Sequence, residues 1–395
     1  MPEPPVLVSF VGGVGGSPVE EMTAAARRAA ALDTLERALA TGAFAYAILV
    51  ADAADGLEVL PPGVRLDIDP GPFHFGRRLA NVIERLGLRS VVYFSGGSVL
   101  LMSAQEFVGI AQELGRGEGQ VIANNYYSAD LVAFSPADSL RRIDLPAIDN
   151  PLARLLAEQA GLTVHMLPRG VASQFDIDSP AELAVLTLVG GAGPRLQALL
   201  DDWALDVSLY RRILPLFTVS TAQVLVAGRT SSSVWQYLER ETACRVRFFS
   251  EERGMQADGR IGGGQARSLV GFYLVAVGVR RFFATLAELA DAAFLDSRVI
   301  LAHLGLRPSR ADRFLSDLGR YEEIEDPFLR ELTEGAARAA IPVVLGGHSA
   351  VSGGLMTLVE HAWREHDRAL QEGSGVDLGR GGRIDLSQHS QKDRT

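Results

Sequence analysis

The sequence has almost no cysteine and almost no lysine. Cys244 is the single cysteine of the 395 residues, and Lys392 is the single lysine. One cysteine cannot form an internal disulfide bond and has no partners for a zinc cluster. Without a lysine in its folded part, the chain cannot contain a Walker A loop, a Schiff-base lysine or a lysine general base. A bound phosphate must therefore be held by arginine, backbone N–H groups, helix N-termini or a metal ion.

The chain also lacks the charge and the apolar segments of several protein classes. Its formal net charge is −10, whereas a nucleic-acid-binding protein needs a basic face. Residues 2–5 do not form the basic start of a signal peptide, and the longest apolar run with a helical pattern, residues 268–279, is too short to cross a bilayer. We therefore expect a cytoplasmic protein that binds neither nucleic acid nor membrane. The sequence leaves open whether the protein forms a homo-oligomer.

What the sequence does contain is an alternation of strand-like and helix-like segments along both halves. Apolar residues make up 47% of the chain, enough for a sizeable core. The alternation is typical of α/β proteins with a mostly parallel sheet between two helix layers. Glycine and proline are concentrated at residues 190–194, which we interpret as a linker. The sequence thus predicts an α/β three-layer sandwich over residues 1–190, a second, Rossmann-like α/β domain over residues 191–371 and a disordered tail over residues 372–395.

Two glycine-rich turns follow apolar strands in the first half. Residues 91–95 are apolar, β-branched or aromatic up to Ser95, which is typical of a strand buried on both faces. An earlier strand, residues 6–11, precedes a helix that begins with Ser17 as its N-cap. Open α/β sheets bind ligands where such strands end. The candidate nucleotide- and phosphate-binding residues of the two turns are Gly12, Gly13, Gly15, Gly16, Gly96, Gly97 and Ser98.

The order of motifs over residues 5–190 resembles a known family. The glycine-rich loop and the strand closing in Gly-Gly are followed by Val-Ile-Ala-Asn-Asn-Tyr-Tyr-Ser-Ala-Asp at 121–130 and by Asp-Ile-Asp-Ser-Pro-Ala-Glu-Leu at 176–183. This order resembles the nucleotidyltransferases of the GT-A type, near the molybdenum-cofactor and phospholactate guanylyltransferases. The resemblance implies a GT-A/Rossmann-like fold, a nucleoside triphosphate as donor and a small phosphorylated metabolite as acceptor.

The resemblance also implies roles for four side chains. Asn124 and Asn125 would lie near the acceptor, and Asp176 or Asp178 would be one of two carboxylates that hold Mg²⁺. Alternatives stay open for both pairs. The two asparagines are also typical of a turn, and Asp-x-Asp-Ser-Pro is also a capping sequence with Ser179 as N-cap.

Two departures from the family's pattern concern the catalytic residues. The family carries arginine, and usually lysine, soon after the glycines; here residues 17–19 are Ser-Pro-Val, and Arg27 lies too far along to be the same residue. Ser98 stands where the family has a metal-binding aspartate, and a hydroxyl is a poor ligand for Mg²⁺. The pattern therefore supports the fold more strongly than the catalytic site.

The second half contains three further candidate segments. One turn after a strand-like segment offers hydroxyls, backbone N–H groups and a guanidinium to an anion, through Arg229, Thr230, Ser231 and Ser232. A second turn, Gly-Gly-His-Ser at 346–349, contains His348 as a candidate general acid or base. Glu252 follows another strand-like segment and is a second candidate catalytic residue. Ordinary helix capping is the alternative for both turns.

Three functions are consistent with these patterns. The first is a nucleotidyltransferase that moves a nucleoside monophosphate from a triphosphate to a small phosphorylated acceptor with Mg²⁺. The second is a non-catalytic protein that binds a nucleotide or phosphometabolite and has lost the metal aspartate. The third is an enzyme of another class, with its chemistry around Arg229, Glu252 and His348.

Overall fold

Apolar segments of the first half form one mixed β-sheet. A computed structural model describes residues 3–12, 15–255 and 259–374. Its strands in this half are β1 (Val6–Phe10), β2 (Ala47–Ala51), β3 (Val64–Ile68), β4 (Val91–Ser95), β5 (Gln120–Ala123), β6 (Leu131–Ser135) and β7 (Thr163–Met166). Its helices are α1 (Pro18–Leu39), α2 (Phe75–Leu86), α3 (Ala104–Leu114), α4 (Leu152–Glu158), α5 (Val171–Gln174) and α6 (Pro180–Val189).

The strand order of this sheet is β3-β2-β1-β4-β6-β5-β7, with β6 antiparallel to both of its neighbours. Alternate residues of β1 pack on opposite faces: Val6 and Val8 lie in the apolar cluster with α2, and Leu7 lies in the cluster with α1 and α3. The connection reverses direction between β1 and β4, so the turns after these two strands flank the switch point of the sheet. The predicted three-layer α/β arrangement is confirmed.

The second half contains a smaller sheet, all parallel, in the order β11-β10-β8-β9. Its strands are β8 (Gln223–Gly228), β9 (Arg245–Ser250), β10 (Ala292–Asp296) and β11 (Val343–Gly346). Its helices are α7 (Pro194–Trp203), α8 (Ser208–Ile213), α9 (Ser232–Glu241), α10 (Leu269–Leu289), α11 (Ser297–His303), α12 (Arg310–Asp317), α13 (Pro327–Ala337) and α14 (Gly353–Ser374). Helix α14 runs three residues into the segment predicted as a tail, and residues 375–395 lie outside the described residues.

The two halves share part of their core. One apolar cluster contains Ala29 of α1 and Leu183 of α6 together with Leu355 of α14. The buried Asp33 of α1 accepts hydrogen bonds from the backbone N–H of Arg195, at the start of α7. The second half is thus packed directly against the first. The boundary predicted at residue 190 stays a prediction.

Helix α10 is longer than the apolar run at residues 268–279, which was judged too short to cross a bilayer. It has 21 residues and, among the described residues, is the one helix long and apolar enough to cross a membrane; α6 and α7 would pass that test only if counted together as one bent span. Gly278 breaks α10 with φ 76° and ψ 162°. Beyond that break, Phe282 and Leu286 are buried in the core of the second half, which is typical of a core helix.

The start of α14 gives a test of how the halves pack. A β-carbon on Gly353 would lie 2.1 Å from the carbonyl oxygen of Gln174 in the first half. We expect Gly353→Ala to lower the free energy of unfolding by about 1–3 kcal/mol, because backbone must move to relieve the overlap. Gly109→Ala is the control: it lies within α3 with nothing within 4 Å of its β-carbon position and should raise stability by about 0.5–1 kcal/mol. Urea denaturation measures both, and equal effects would contradict this packing.

Candidate functional site

The turn after β4 lies against the segment that leads into α6. Ile177 N–H donates to the carbonyl oxygen of Gly97 at 3.0 Å, and Ser98 forms an isolated β-bridge with Asp176. A β-carbon on Gly97 would lie 3.0 Å from Asp176 Oδ1, so a larger residue would push against that carboxylate. The structure therefore brings three of the predicted site residues, Gly97, Ser98 and Asp176, into one place.

The turns after β1 and β4 also touch. A β-carbon on Gly96 would lie 2.5 Å from Val11 Cγ1, and one on Gly15 would overlap the carboxylate of Glu20, which closes the capping box of α1. A β-carbon on Gly16 would meet nothing within 4 Å. The two turns thus lie side by side at the switch point of the sheet, where open α/β sheets have their ligand-binding crevice, and we call this place the crevice.

The start of the glycine-rich loop is fixed by a carboxylate. Gly12 has φ +141°, and a β-carbon there would lie 2.5 Å from Asp52 Oδ2, so both the backbone angle and the space require glycine. Asp52 in turn pairs with Arg78 at 2.6 Å. Gly13 lies outside the described residues.

Ser98 holds the turn together. Its buried hydroxyl lies 2.9 Å from the carbonyl oxygen of Ser95 and 3.2 Å from that of Asp130, positioned to donate to either. Asp130 directly precedes β6, and because β6 is antiparallel to β4, the start of β6 lies at the edge where β4 ends. Sequence reasoning missed Asp130 because it looked for polar residues after strands, and here the carboxylate comes before one.

Several carboxyl groups share this crevice. Burial, with the charges of Asp149 and Asp178 adding to it, raises the pKa of Asp130 to about 8. Burial also raises the pKa of Asp176 well above its ordinary value, and Asp178 and Asp130 add to that effect. Asp149, which accepts a 2.8 Å hydrogen bond from Tyr93, has its pKa raised by burial as well. The crevice therefore groups carboxyl groups that give up their protons less readily than they would in water.

Arg27 supplies a counter-charge from the middle of α1. Its Nη2 lies 3.5 Å from Ser95 Oγ, and its charge acts against the raised pKa values of Asp130, Asp149 and Asp176. Sequence reasoning rejected Arg27 as a loop residue. It reaches the crevice from the side of the helix, where distance along the chain from the glycines does not matter.

The crevice contains an unsatisfied hydrogen-bond acceptor at Asp176. Its Oδ1 is buried and has no hydrogen-bond partner within the described ranges, which costs free energy unless a ligand satisfies it. Among the residues the structure describes, no three His, Cys, Asp or Glu side chains form a group that could hold a metal ion. Mg²⁺ in phosphate-transferring sites is commonly bound by one or two carboxylates together with substrate phosphates and water. The donors present fit an ion shared with a phosphorylated ligand.

The two predicted asparagines have structural roles. Asn124 Oδ1 accepts hydrogen bonds from the backbone N–H groups of Asp130 (3.0 Å) and Leu131 (3.1 Å), and its Nδ2 donates to the carbonyl oxygen of Ser173 at 2.9 Å. Asn125 Oδ1 accepts from backbone N–H groups of the turn that follows it. Asn124 therefore fixes the chain on which Asp130 lies, and Asn125 forms the turn that the sequence left as an alternative.

The carboxyl edge of the second sheet contains an arginine–aspartate pair at its own switch point, between β8 and β10. Arg229 binds both carboxylate oxygens of Asp296, at 2.6 and 3.2 Å. His348 lies close enough to this pair for the charges of Arg229 and Asp296 to act on its ring. Desolvation lowers the pKa of His348, and Arg229 adds to this while Asp296 and Asp178 oppose it. Asp296 was not predicted because β10 was not recognised as a strand.

The remaining candidates of the second half are held by local contacts. Ser231 caps α9 by accepting from Val234 N–H at 3.3 Å, Thr230 is fully buried before it, and Ser232 is the first residue of the helix. Glu252 binds Arg260 through both carboxylate oxygens, at 3.0 and 2.8 Å. That ion pair lowers the pKa of Glu252, and its carboxylate holds the loop before α10 in place.

The carboxyl edges of the two sheets face each other across residues 174–180. Gly353 packs on Gln174, and the turn Ser349–Val351 packs on α6. The charge of Asp178 acts both on Asp176 in the first half and on His348 in the second. Asp178 is therefore close enough for its charge to act on both carboxyl edges, and we call the region between these edges the cleft.

Comparisons with known proteins found similarity only among solved structures. No protein-family model and no curated protein matches the sequence. A nucleotide-diphospho-sugar transferase structure from Desulfovibrio desulfuricans is 16% identical with a TM-score of 0.37, covering 51% of this chain and 98% of that one. A cytidylyltransferase from Leptospira borgpetersenii is 11% identical with a TM-score of 0.35, covering 51% and 93%. A CMP:2-keto-3-deoxy-manno-octonic acid synthetase, solved with CTP, is 12% identical with a TM-score of 0.30, covering 41% and 88%. The assignment of the fold depends on the strand order of this chain itself.

The raised pKa of Asp130 makes stability depend on pH. Between the unfolded value near 4 and the folded value of about 8, the native state binds the extra proton, so stability falls as pH rises. Asp130→Asn removes this dependence, and we expect its gain in unfolding free energy over the natural protein to grow from pH 5 to pH 8, reaching on the order of 1–2 kcal/mol. Urea denaturation without divalent cations, at several pH values, measures the gain. A constant difference between the two proteins across this range would contradict the raised pKa.

Proposed function

We propose that the chain is a nucleotidyltransferase that transfers a nucleoside monophosphate from a triphosphate to a small phosphorylated acceptor in the cleft between its halves. The observation that supports this most is the unpartnered buried oxygen of Asp176, set among other carboxylates at the switch point of the first sheet. A crevice of that kind at a glycine-rich turn suits a metal-bound polyphosphate.

The first half binds the donor in this proposal. The backbone of the 12–16 turn and the N-terminus of α1 lie against the triphosphate. Asp176 and Asp178 would hold Mg²⁺, which would neutralise charge on the phosphates when bound. Arg27 opposes the raised pKa values of Asp130 and Asp176, and its charge would favour loss of their protons when the ion and the nucleotide bind.

The second half binds the acceptor. Arg229 and His348 line the facing edge of the cleft, and a phosphate group of the acceptor would lie there. An oxygen of that phosphate attacks the α-phosphorus, the bond from the α-phosphorus to the bridging oxygen breaks, and pyrophosphate leaves. Because a phosphate oxygen is already ionised near pH 7, this reaction needs no general base.

Asp176→Asn tests the metal site. We expect at least about a 100-fold loss in pyrophosphate release with Mg²⁺ and each of the four nucleoside triphosphates, because the amide cannot balance the charge of the ion. The melting temperature should stay the same or rise, since a buried carboxyl group is replaced by a neutral one. Asp201→Asn, on the exposed face of α7, is the matched control and should keep full activity. No binding of any of the four nucleotides to the natural protein with Mg²⁺ present would overturn the proposal.

A second candidate is a nucleotide-binding protein without catalysis. The hydrogen bonds of Ser98 favour it, because they use that side chain for the turn where the resemblance expects a metal-binding aspartate. It predicts nucleotide binding without pyrophosphate release.

His348→Gln tests the role of the second half. If His348 faces the acceptor, the variant should bind nucleotide as the natural protein does while the KM for the acceptor rises about tenfold, the loss of one hydrogen bond to a charged group. A rise in the nucleotide dissociation constant instead would place His348 at the donor. Steady-state kinetics and nucleotide titration together distinguish the two results.

A further inference from the structure

A groove of about 270 Å³ lies between α10 and the free edge of the second sheet, away from the cleft. Its walls are almost entirely apolar, and they include Leu225, Ala227 and Phe249 of the sheet and Leu269, Tyr273 and Leu289 of α10. Ligand-binding cavities in proteins are typically about 300–1,000 Å³, so this groove has the size of a small one.

The strand register explains why the groove is open. Leu225 pairs with Arg247 and Ala227 with Phe249, so these four side chains lie on the face of the sheet that α10 covers. Strand β9 is the last in its sheet, with β8 as its one neighbour in the strand order. Helix α10 covers β8 but leaves the β9 side of the groove accessible.

The apolar surface continues from the groove onto the outer side of α10. Leu269 is 62% exposed, Phe272 56% and Val275 63%. All three precede the break at Gly278, after which one face of the helix, including Phe282 and Leu286, is buried in the core. A monomeric soluble protein rarely leaves such a contiguous patch uncovered without a ligand or partner for it.

Arg247 introduces a positive charge into this apolar groove. Its Nε donates to the carbonyl oxygen of Leu289 at 2.9 Å, and its Nη2 donates to Gln223 Oε1 at 3.0 Å, both neutral acceptors. Among the salt bridges of the described residues, none involves Arg247. An anionic group beside it would be charge-complementary.

We propose that this groove binds a single-chain amphiphile, with its alkyl or prenyl chain against the apolar walls and its anionic head group beside Arg247. Helix α14 is not the occupant, because it packs with the apolar cluster on the opposite face of the second sheet. The proposal is independent of the nucleotidyltransferase reaction.

The test uses the full-length protein and dodecanoate below its critical micelle concentration, measured by isothermal titration calorimetry. We expect saturable binding of one dodecanoate per chain. Leu225→Trp fills the groove floor and should weaken binding at least tenfold, and Arg247→Gln should weaken it about tenfold through loss of one charge-assisted contact. Val275→Ser is the matched control: it lies on the exposed helix face outside the groove and should bind dodecanoate unchanged. Melting curves show that each variant is folded.

Three results would overturn the proposal. Absence of saturable dodecanoate binding to the natural protein is the first. The second is binding to phosphatidylglycerol vesicles but not to monomeric dodecanoate, weakened by Val275→Ser, which would make the patch a membrane-docking surface. The third is a concentration-dependent dimer that Val275→Ser dissociates, which would make the patch an interface between two copies.

Discussion

The pairing of residues 176 and 177 with the turn after β4 is the constraint on which the cleft depends. It holds a carboxylate against Gly97 on one side and presents the chain at Gln174 to Gly353 on the other. Residues 174–180 are thus part of the first sheet's crevice and also the surface on which the second half packs. Movement of this segment would change the site and the junction of the halves together.

The cost of this arrangement is electrostatic. Burial raises the pKa values of Asp130, Asp149 and Asp176, and a single arginine, Arg27, acts against all three. Without a ligand the protein relieves this repulsion by keeping protons on the carboxyl groups. A cation can replace those protons, and its binding free energy then includes the cost of displacing them. Because this cost falls as the pH rises, the affinity for the cation increases with pH.

Much of the fold could be predicted from the sequence, because apolar runs and capping residues mark most elements directly. The strands predicted at residues 6–11 and 91–95 are β1, Val6–Phe10, and β4, Val91–Ser95. Strands β3 and β10 were missed: β3 is only partly buried and mixes charge with apolar residues, and β10 is a short run of Ala-Ala-Phe-Leu that resembles a helix. The site was harder, because Asp130 and Arg27 reach it through an antiparallel strand and a helix side, neither of which local sequence spacing reveals. Which of the selected residues bind ligand stays a prediction.

The switch regions of both sheets contain the same arrangement of a glycine, a carboxylate and an arginine. Comparing the two shows which carboxyl groups of the cleft have no arginine paired with them. Gly12 has φ +141° beside Asp52, and Gly228 has φ +138° beside Asp296, so in each half a glycine at a strand end lets the backbone pass a carboxylate on the neighbouring strand. Each of these carboxylates pairs with an arginine at 2.6 Å, Asp52 with Arg78 and Asp296 with Arg229. Such pairs add little net charge to the cleft. The carboxyl groups around Asp176 form no salt bridge within the described ranges, and the arginine that acts on them is Arg27, whose Nη2 lies 3.5 Å from Ser95 Oγ. A cation bound there would therefore compensate charge that no arginine pairs with directly.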